Sequence, residues 1–426
     1  MISLIYLLIY LRQKSAIFAF WLISGLLWHT IPSLANNIHT YYDLEIGFFG
    51  KEKLFVELLE ISSLFFWSLP FICLPRIGRF KERSTLKMKN FRILIFFYIF
   101  AGILIMLNNL IGTLIELPLS FLYIKLSVKI LPIFCVYQIF NSTSILYRVL
   151  SIVVLIVTVV GGGSHGPIVF VSIYALYSSW SRKRYLKETT VAVFLGVVFL
   201  ASFGGLMHQV RSLDVGKVKK LTMLDKIILV SGLKEEIGIY KIADDHKSNS
   251  NLLGDAIWRF GENRRVSSGY LRWVETRGYV GSTPILNSVV SIYPRQLWKE
   301  KPEPGSYNGA KYGKGMNVIH KMTYGNQKNM SGFYTGVHEY WLFGLFGIIF
   351  CSLVSGIIQY AVIVKLSSFG EFGVLCIIAT YSIWWQMPKL WLSEVLLHLN
   401  TIYLPMAILY GIVIGVQSLK KRKSIF

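Results

Sequence analysis

Apolar runs of near-membrane length recur along almost all of this 426-residue chain, and that repetition decides the fold class. A helix needs roughly 20 apolar residues to cross hydrocarbon. Runs of that order stand at residues 16–35, 54–74, 93–112, 119–140, 146–161, 166–181, 189–207, 337–364, 370–387 and 395–417, with a shorter one at 1–11. Spanning structures must bond every backbone N–H and C=O within the protein, which leaves helices and closed barrels. Barrel strands would read as short alternating segments, unlike these continuous runs. Charged residues make up 15% of the chain, against about 25% in a soluble protein. The pattern predicts an all-α polytopic membrane protein of about 11 transmembrane helices.

Arg12 and Lys14 follow the apolar segment 1–11. A secretory signal carries its positive charge before the apolar stretch, so this segment is expected to stay in the mature protein as a first, short crossing. The charge total is +22, and its placement matters more than its sum. Arg76, Arg79, Lys81, Arg83, Lys87, Lys89 and Arg92 crowd one short loop, and Arg182, Lys183, Arg184 and Lys187 another. Lys420, Lys421, Arg422 and Lys423 lie near residue 426. Counting crossings puts these clusters, with Arg12 and Lys14, on one face, which the positive-inside rule assigns to the cytoplasm. Basic residues at helix ends also account for the charge without nucleic acid. Cys73, Cys135, Cys351 and Cys376 all lie in apolar runs with no C-x-x-C pair, and read as small buried hydrophobes.

The layout is then three parts: helices over 1–206, a large outward loop over 207–333, and helices over 334–426. The loop carries 20 Lys and Arg against 11 Asp and Glu. Long loops are exempt from the charge rule. The excess fits an anionic partner at the outer surface, or simply a solvated basic face. Residues 221–243 have the spacing of an amphipathic helix, weakened by Gly232 and Gly238. Residues 255–277 are a second helical candidate, and Pro284, Pro294, Pro302 and Pro304 punctuate a stretch expected to be mostly irregular.

Four stretches can carry chemistry. Gly161-Gly-Gly-Ser-His-Gly-Pro167 lies between two apolar runs. It contains a G-x-S-x-G match, but a nucleophile elbow needs a strand before it and a helix after it. A helix restarting near Pro167 would aim free N–H groups at an anion, while a plain interhelical turn explains the same residues. In Met207-His-Gln-Val-Arg211 the arginine stands where a span ends. It can grip a lipid phosphate or snorkel to the interface. Tyr293-Pro-Arg-Gln-Leu-Trp-Lys-Glu-Lys-Pro302 mixes aromatics with cations, as sugar stacking and phosphate binding require. Ser331-Gly-Phe-Tyr-Thr-Gly-Val-His-Glu-Tyr-Trp341 opens the span after the loop. There His338 and Glu339 are ionisable groups at an apolar helix start. A partly desolvated Glu339 can serve as general base, or it can be a carboxylate favoured by the helix dipole. No metal-ligand spacing is found, and no cofactor or metal is expected.

In the order of these features the chain resembles the O-antigen polymerases of Wzy type, the oligosaccharide repeat-unit polymerases. The resemblance rests on Gly161-Gly-Gly-Ser-His165, Arg211, Pro294-Arg-Gln-Leu-Trp-Lys-Glu-Lys-Pro302 and Val337-His-Glu-Tyr-Trp-Leu-Phe-Gly-Leu-Phe-Gly347. It covers residues 150–426, and the first half by layout alone. Two departures stand out: His165 sits where many members carry Arg, and no Arg-x10-Gly signature starts from Arg211, Arg264, Arg265 or Arg295.

The resemblance implies a GT-C-like fold in a bacterial inner membrane, with the large loop periplasmic and acting as a partly helical lid. It implies metal-independent, inverting glycosyl transfer. A hydroxyl of one polyprenyl-pyrophosphate-linked repeat unit attacks the anomeric carbon of another chain and expels lipid pyrophosphate. Such chemistry needs a base and cations. Glu339 is the expected base, with His338 its rival. Arg211, Arg264, Arg265, Arg272 and Arg295 are expected on the pyrophosphate, with His165, Tyr293 and Trp298 lining the cavity. Expected partners are lipid-linked oligosaccharides, membrane lipids and a chain-length regulator protein, without nucleic acid. An O-antigen ligase is the neighbouring alternative. A lipid-linked sugar transporter and a noncatalytic assembly partner are alternatives of other classes.

Overall fold

The computed structural model describes residues 1–14, 18, 21, 22, 50–75, 135–139, 142, 144–162, 270, 271, 273–290, 298, 300, 302, 335–368, 373, 377, 391–399, 407, 411 and 415. Among the described residues all regular structure is helical. The elements are α1 (Ile2–Gln13), α2 (Gly50–Cys73), α3 (Ile145–Gly162), α4 (Thr283–Val289), α5 (Thr335–Ser367) and α6 (Leu392–His398). Within α2 and α5, Leu54–Cys73 and Gly336–Ser367 are long and apolar enough to cross a membrane, while α1 is a shorter apolar helix.

The chain divides into two compact units. One comprises Met1–Lys81, Leu253–Ser368 and Trp384–Tyr403, and so holds α1, α2, α4, α5 and α6. The other comprises Glu82–Leu252, Phe369–Ile383 and Leu404–Phe426, and holds α3, which ends on the first two glycines of the Gly161–Gly163 run.

The spine of the first unit is the pair α2 and α5. In lipid, apolar side chains gain little by leaving acyl chains for one another, so helix association relies on close backbone approach and polar contacts. Both are present. A Cβ on Gly336 would collide with the Leu59 carbonyl, and one on Gly356 with the Trp67 carbonyl. Between these glycines Ser63 Oγ lies 2.8 Å from Ser352 Oγ. Trp67 Nε1 donates to Gln359 Oε1 at 3.1 Å, and Tyr360 Oη donates to the Pro75 carbonyl at 2.7 Å. Partners advance together along both helices, so α2 and α5 run in the same direction.

Helix α1 lies along α2 in that direction too. Tyr6 meets Trp67 edge-on at 6.3 Å, and Gln13 Nε2 donates to the Phe71 carbonyl at 2.5 Å. Lys14 ends α1 in the left-handed conformation (φ 48°, ψ 37°), its N–H bonded to the Tyr10 carbonyl at 2.7 Å. Phe18 and Trp21 then return onto Phe71 and Trp67 with centroids 5.0–5.9 Å apart. This aromatic cluster packs the chain after α1 against α2.

Helix α5 is not the single rod expected over 337–364. It breaks at Phe343 (φ −143°, ψ 20°) and Gly344 (φ 65°, ψ −145°). The second pair of angles is open to glycine and costly for any L side chain. The bend brings Gly347 so close to the Glu339 carbonyl that a Cβ would collide with it. Residues 335–342 are thus a short helical piece set apart from 345–367. A break leaves helix carbonyls without their usual partners four residues on, and buried ones need others. The Val280 and Gly281 N–H groups supply them, donating to the carbonyls of Trp341 at 3.1 Å and Leu342 at 2.9 Å. Tyr279 roofs the break, its Oη 2.7 Å from where a Gly344 Cβ would stand.

Candidate functional site

Several buried polar groups lie around the broken start of α5. Glu339 has no exposed surface, and His338 is 1% exposed. Ser63 Oγ donates to Glu339 Oε2 at 3.3 Å. A hydroxyl has one proton, so its bond to Ser352 must then be donated from the Ser352 side, giving a chain Ser352 to Ser63 to Glu339. Glu60, one turn before Ser63 on α2, is also buried. Two carboxylates are therefore buried, Glu60 on α2 and Glu339 on α5, and buried carboxylates are rare unless paired.

His338 points to the other side of the short piece. Its ring lies 5.7 Å from that of Trp341 and 5.4 Å from that of Trp391, which precedes α6. On α6, His398 Nδ1 approaches the Glu394 carbonyl at 2.6 Å and Glu394 Oε2 at 3.7 Å. That geometry places the Nδ1 proton on the carbonyl and holds the imidazole against the same helix turn.

The late part of the loop covers the site. Residues 270, 271 and 273–277, within the helical candidate 255–277, are helical. Tyr270, Leu271 and Trp273 are buried in one apolar cluster with Val56, Leu59, Val337, Trp341, Leu342 and Leu392. Burial pushes the Tyr270 phenol well above its ordinary value. Tyr270 meets Trp341 edge-on at 5.1 Å, and Tyr279 meets Tyr340 at 5.8 Å. Exposed Arg277 lays its guanidinium over the Trp273 ring, 4.5 Å from the centroid. This cation–π contact holds a cation at the edge of the cover.

Of the residues singled out from the sequence, His338 and Glu339 are both buried but in different surroundings, and Trp298 is exposed. His165, Arg211, Arg264, Arg265, Arg272, Tyr293 and Arg295 lie outside the described residues. Sequence reasoning missed Glu60, Ser63, Tyr279 and the placement of Arg277. Glu60 had a legible signal, a carboxylate inside the apolar run Leu58-Leu59-Glu60-Ile61. The expected partly desolvated Glu339 is in fact fully buried, because the break turns the short piece against α2. Cys135 and Cys351 are buried free thiols, whereas Cys73, also expected to be buried, is exposed.

Chemically the arrangement offers a buried carboxylate bonded by a hydroxyl, an imidazole between two indoles, and a surface cation within one helical unit. Compared with protein-family models, curated proteins and solved structures, the chain matches none.

Proposed function

We propose that the chain is a bacterial inner-membrane polymerase of Wzy type, with about 11 spans and a GT-C-like fold. It joins polyprenyl-pyrophosphate-linked oligosaccharide repeat units at the periplasmic face. The observation that carries the reading is the buried Glu339 on a short helical piece, covered by the aromatic and cationic segment 270–281 of the large loop. Glu339 takes the proton of the acceptor hydroxyl. The cations of the loop, Arg277 among them, stabilise the departing pyrophosphate. Because Glu339 is fully buried, the acceptor reaches it after the piece 335–342 and its cover part from α2. Gly344 is the position able to absorb the change in backbone angles.

The test is complementation of a polymerase-deletion strain, read as a polysaccharide ladder on a gel. Glu339→Ala and Arg211→Ala are each expected to abolish long polymer at unchanged protein level. Long polymer from both variants sinks the assignment. Polymer that forms but fails to reach its lipid acceptor selects the ligase alternative. Purified protein that joins no repeat units in liposomes selects the assembly partner.

One observation favours a second reading. Two buried carboxylates beside a broken helix also suit a transporter of lipid-linked sugars. Movement of substrate across proteoliposomes without formation of a glycosidic bond would select it.

A further inference from the structure

Helix α4 is built inside out. Its polar residues Asn287 and Ser288 are buried, together with Pro284. Two of its apolar residues face outward, Leu286 57% and Val289 46% exposed, while Ile285 packs against the apolar cluster of the unit. A surface helix in water shows the opposite pattern. The inversion is not an isolated side chain, because Tyr279, just ahead of α4, is 55% exposed as well.

The depth of this segment is fixed by its bonds. Val280 and Gly281 donate to the carbonyls of Trp341 and Leu342, inside the apolar stretch Gly336–Ser367. Tyr279 packs over Gly344, the residue before Leu345. Leu345 and Phe346 are 65% and 64% exposed, and Ile349 and Phe350 follow on the outward face of α5. Tyr279 therefore joins the loop segment to an exposed apolar surface that a spanning α5 turns toward lipid. The sequence agrees: no charged residue stands between Arg277 and Arg295, in a loop otherwise dense with charge.

The backbone meets the demand that hydrocarbon makes. Leu286 N–H bonds the Ser282 carbonyl at 3.0 Å, and Val290 N–H bonds back into α4. Ser288 turns its hydroxyl onto the Pro284 carbonyl at 3.0 Å. Pro284, in the first turn, lacks an N–H that would otherwise need a partner. Arg277 and Glu275, both exposed, stand just before the segment and mark its polar edge.

We propose that residues 279–290 lie within the outer hydrocarbon layer, with Tyr279, Leu286 and Val289 against lipid acyl chains. The loop is then not wholly aqueous. Part of it is a membrane-seated wall beside the break in α5. This rests on the membrane reading of the fold and not on the reaction assigned to it.

The test is site-directed spin labelling in phosphatidylethanolamine–phosphatidylglycerol vesicles, in a Cys73→Ala, Cys376→Ala background. Nitroxides go on Leu286→Cys and, separately, on Val289→Cys, with Ile349→Cys on α5 as the lipid-facing reference. Thermal melting checks that each labelled protein keeps the parent fold, and either loop position alone suffices. Oxygen is expected to relax the loop labels several-fold more than a water-soluble nickel chelate, as at Ile349. Equal or greater relaxation by the chelate overturns the proposal. So does dipolar broadening that disappears on dilution with unlabelled protein, since a second copy of the chain then covers the face. Relaxation is read without substrate, so failure here leaves the polymerase test standing, and loss of the polymerase reading leaves the depth measurement intact.

Discussion

Ser63 and Glu339, 276 positions apart in sequence, meet through a hydroxyl-to-carboxylate hydrogen bond of 3.3 Å inside the packing of α2 and α5. The contact ties the proposed base to a helix that no sequence pattern connects with it. Glu339→Gln keeps the volume and an acceptor for Ser63 but removes the basic oxygen. Polymerisation by purified protein is expected to fall by roughly 100-fold or more, with melting temperature little changed. A Ser63→Ala variant should lose less, because the carboxylate remains. Equal activity of Glu339→Gln and the parent would remove Glu339 from the chemistry.

The approach of α5 to the α2 backbone at Gly336 and Gly356 makes a stability prediction. Gly336→Ala and Gly356→Ala each place a methyl on a main-chain carbonyl, and are expected to cost about 1–3 kcal/mol. Gly411 has open space around it, so Gly411→Ala should leave stability unchanged or slightly raised. Thermal unfolding in detergent compares the three.

Gly344 makes a different demand, because its backbone angles oppose a side chain in addition to the Tyr279 ring above it. Gly344→Ala is expected to lose about 1–3 kcal/mol. Truncating Tyr279 to alanine opens the space above the break but does not relieve the angles. The double variant should therefore stay close to Gly344→Ala in melting temperature, and a full recovery would contradict the backbone account.

Tyr270 gives a pH dependence. Burial holds its phenol protonated in the folded state well above its unfolded value of about 10. Below about pH 10 the phenol is neutral in both states and its contribution is whole. Above that the unfolded chain releases a proton that the folded chain retains, so stability falls as pH rises. Melting temperature is expected to drop between about pH 10 and 11, with a shallower drop in Tyr270→Phe.

Long apolar runs announced α2 and α5, since hydropathy averages over many residues and tolerates small errors of boundary. The same averaging hid the break in α5. Phe343 and Gly344 are apolar and sit in an apolar run, and the local signal of a lone glycine is weak. α4 was read as irregular because Pro284 punctuates it and because its buried face is polar, the reverse of the pattern that marks a helix in water. Glu60 was readable from its apolar neighbours, whereas the bond from Ser63 to Glu339 was not, because that depends on how two distant helices pair. His338 and Glu339 were found as ionisable residues at a span start. Their opposite surroundings, hydroxyls for one and indoles for the other, come from the bend.

The common direction of α1, α2 and α5 has an arithmetic consequence. If each crosses a bilayer, the chain must return to its starting side between any two of them, so the crossings in between are odd in number. Between α1 and α2 the sequence offers one apolar run, at 16–35, and between α2 and α5 it offers five. Both counts have the required parity. Parity also constrains change: deleting any one of the five runs between α2 and α5 would force α5 to enter the membrane from the wrong side, and its contacts with Leu59, Ser63 and Trp67 would have no way to form.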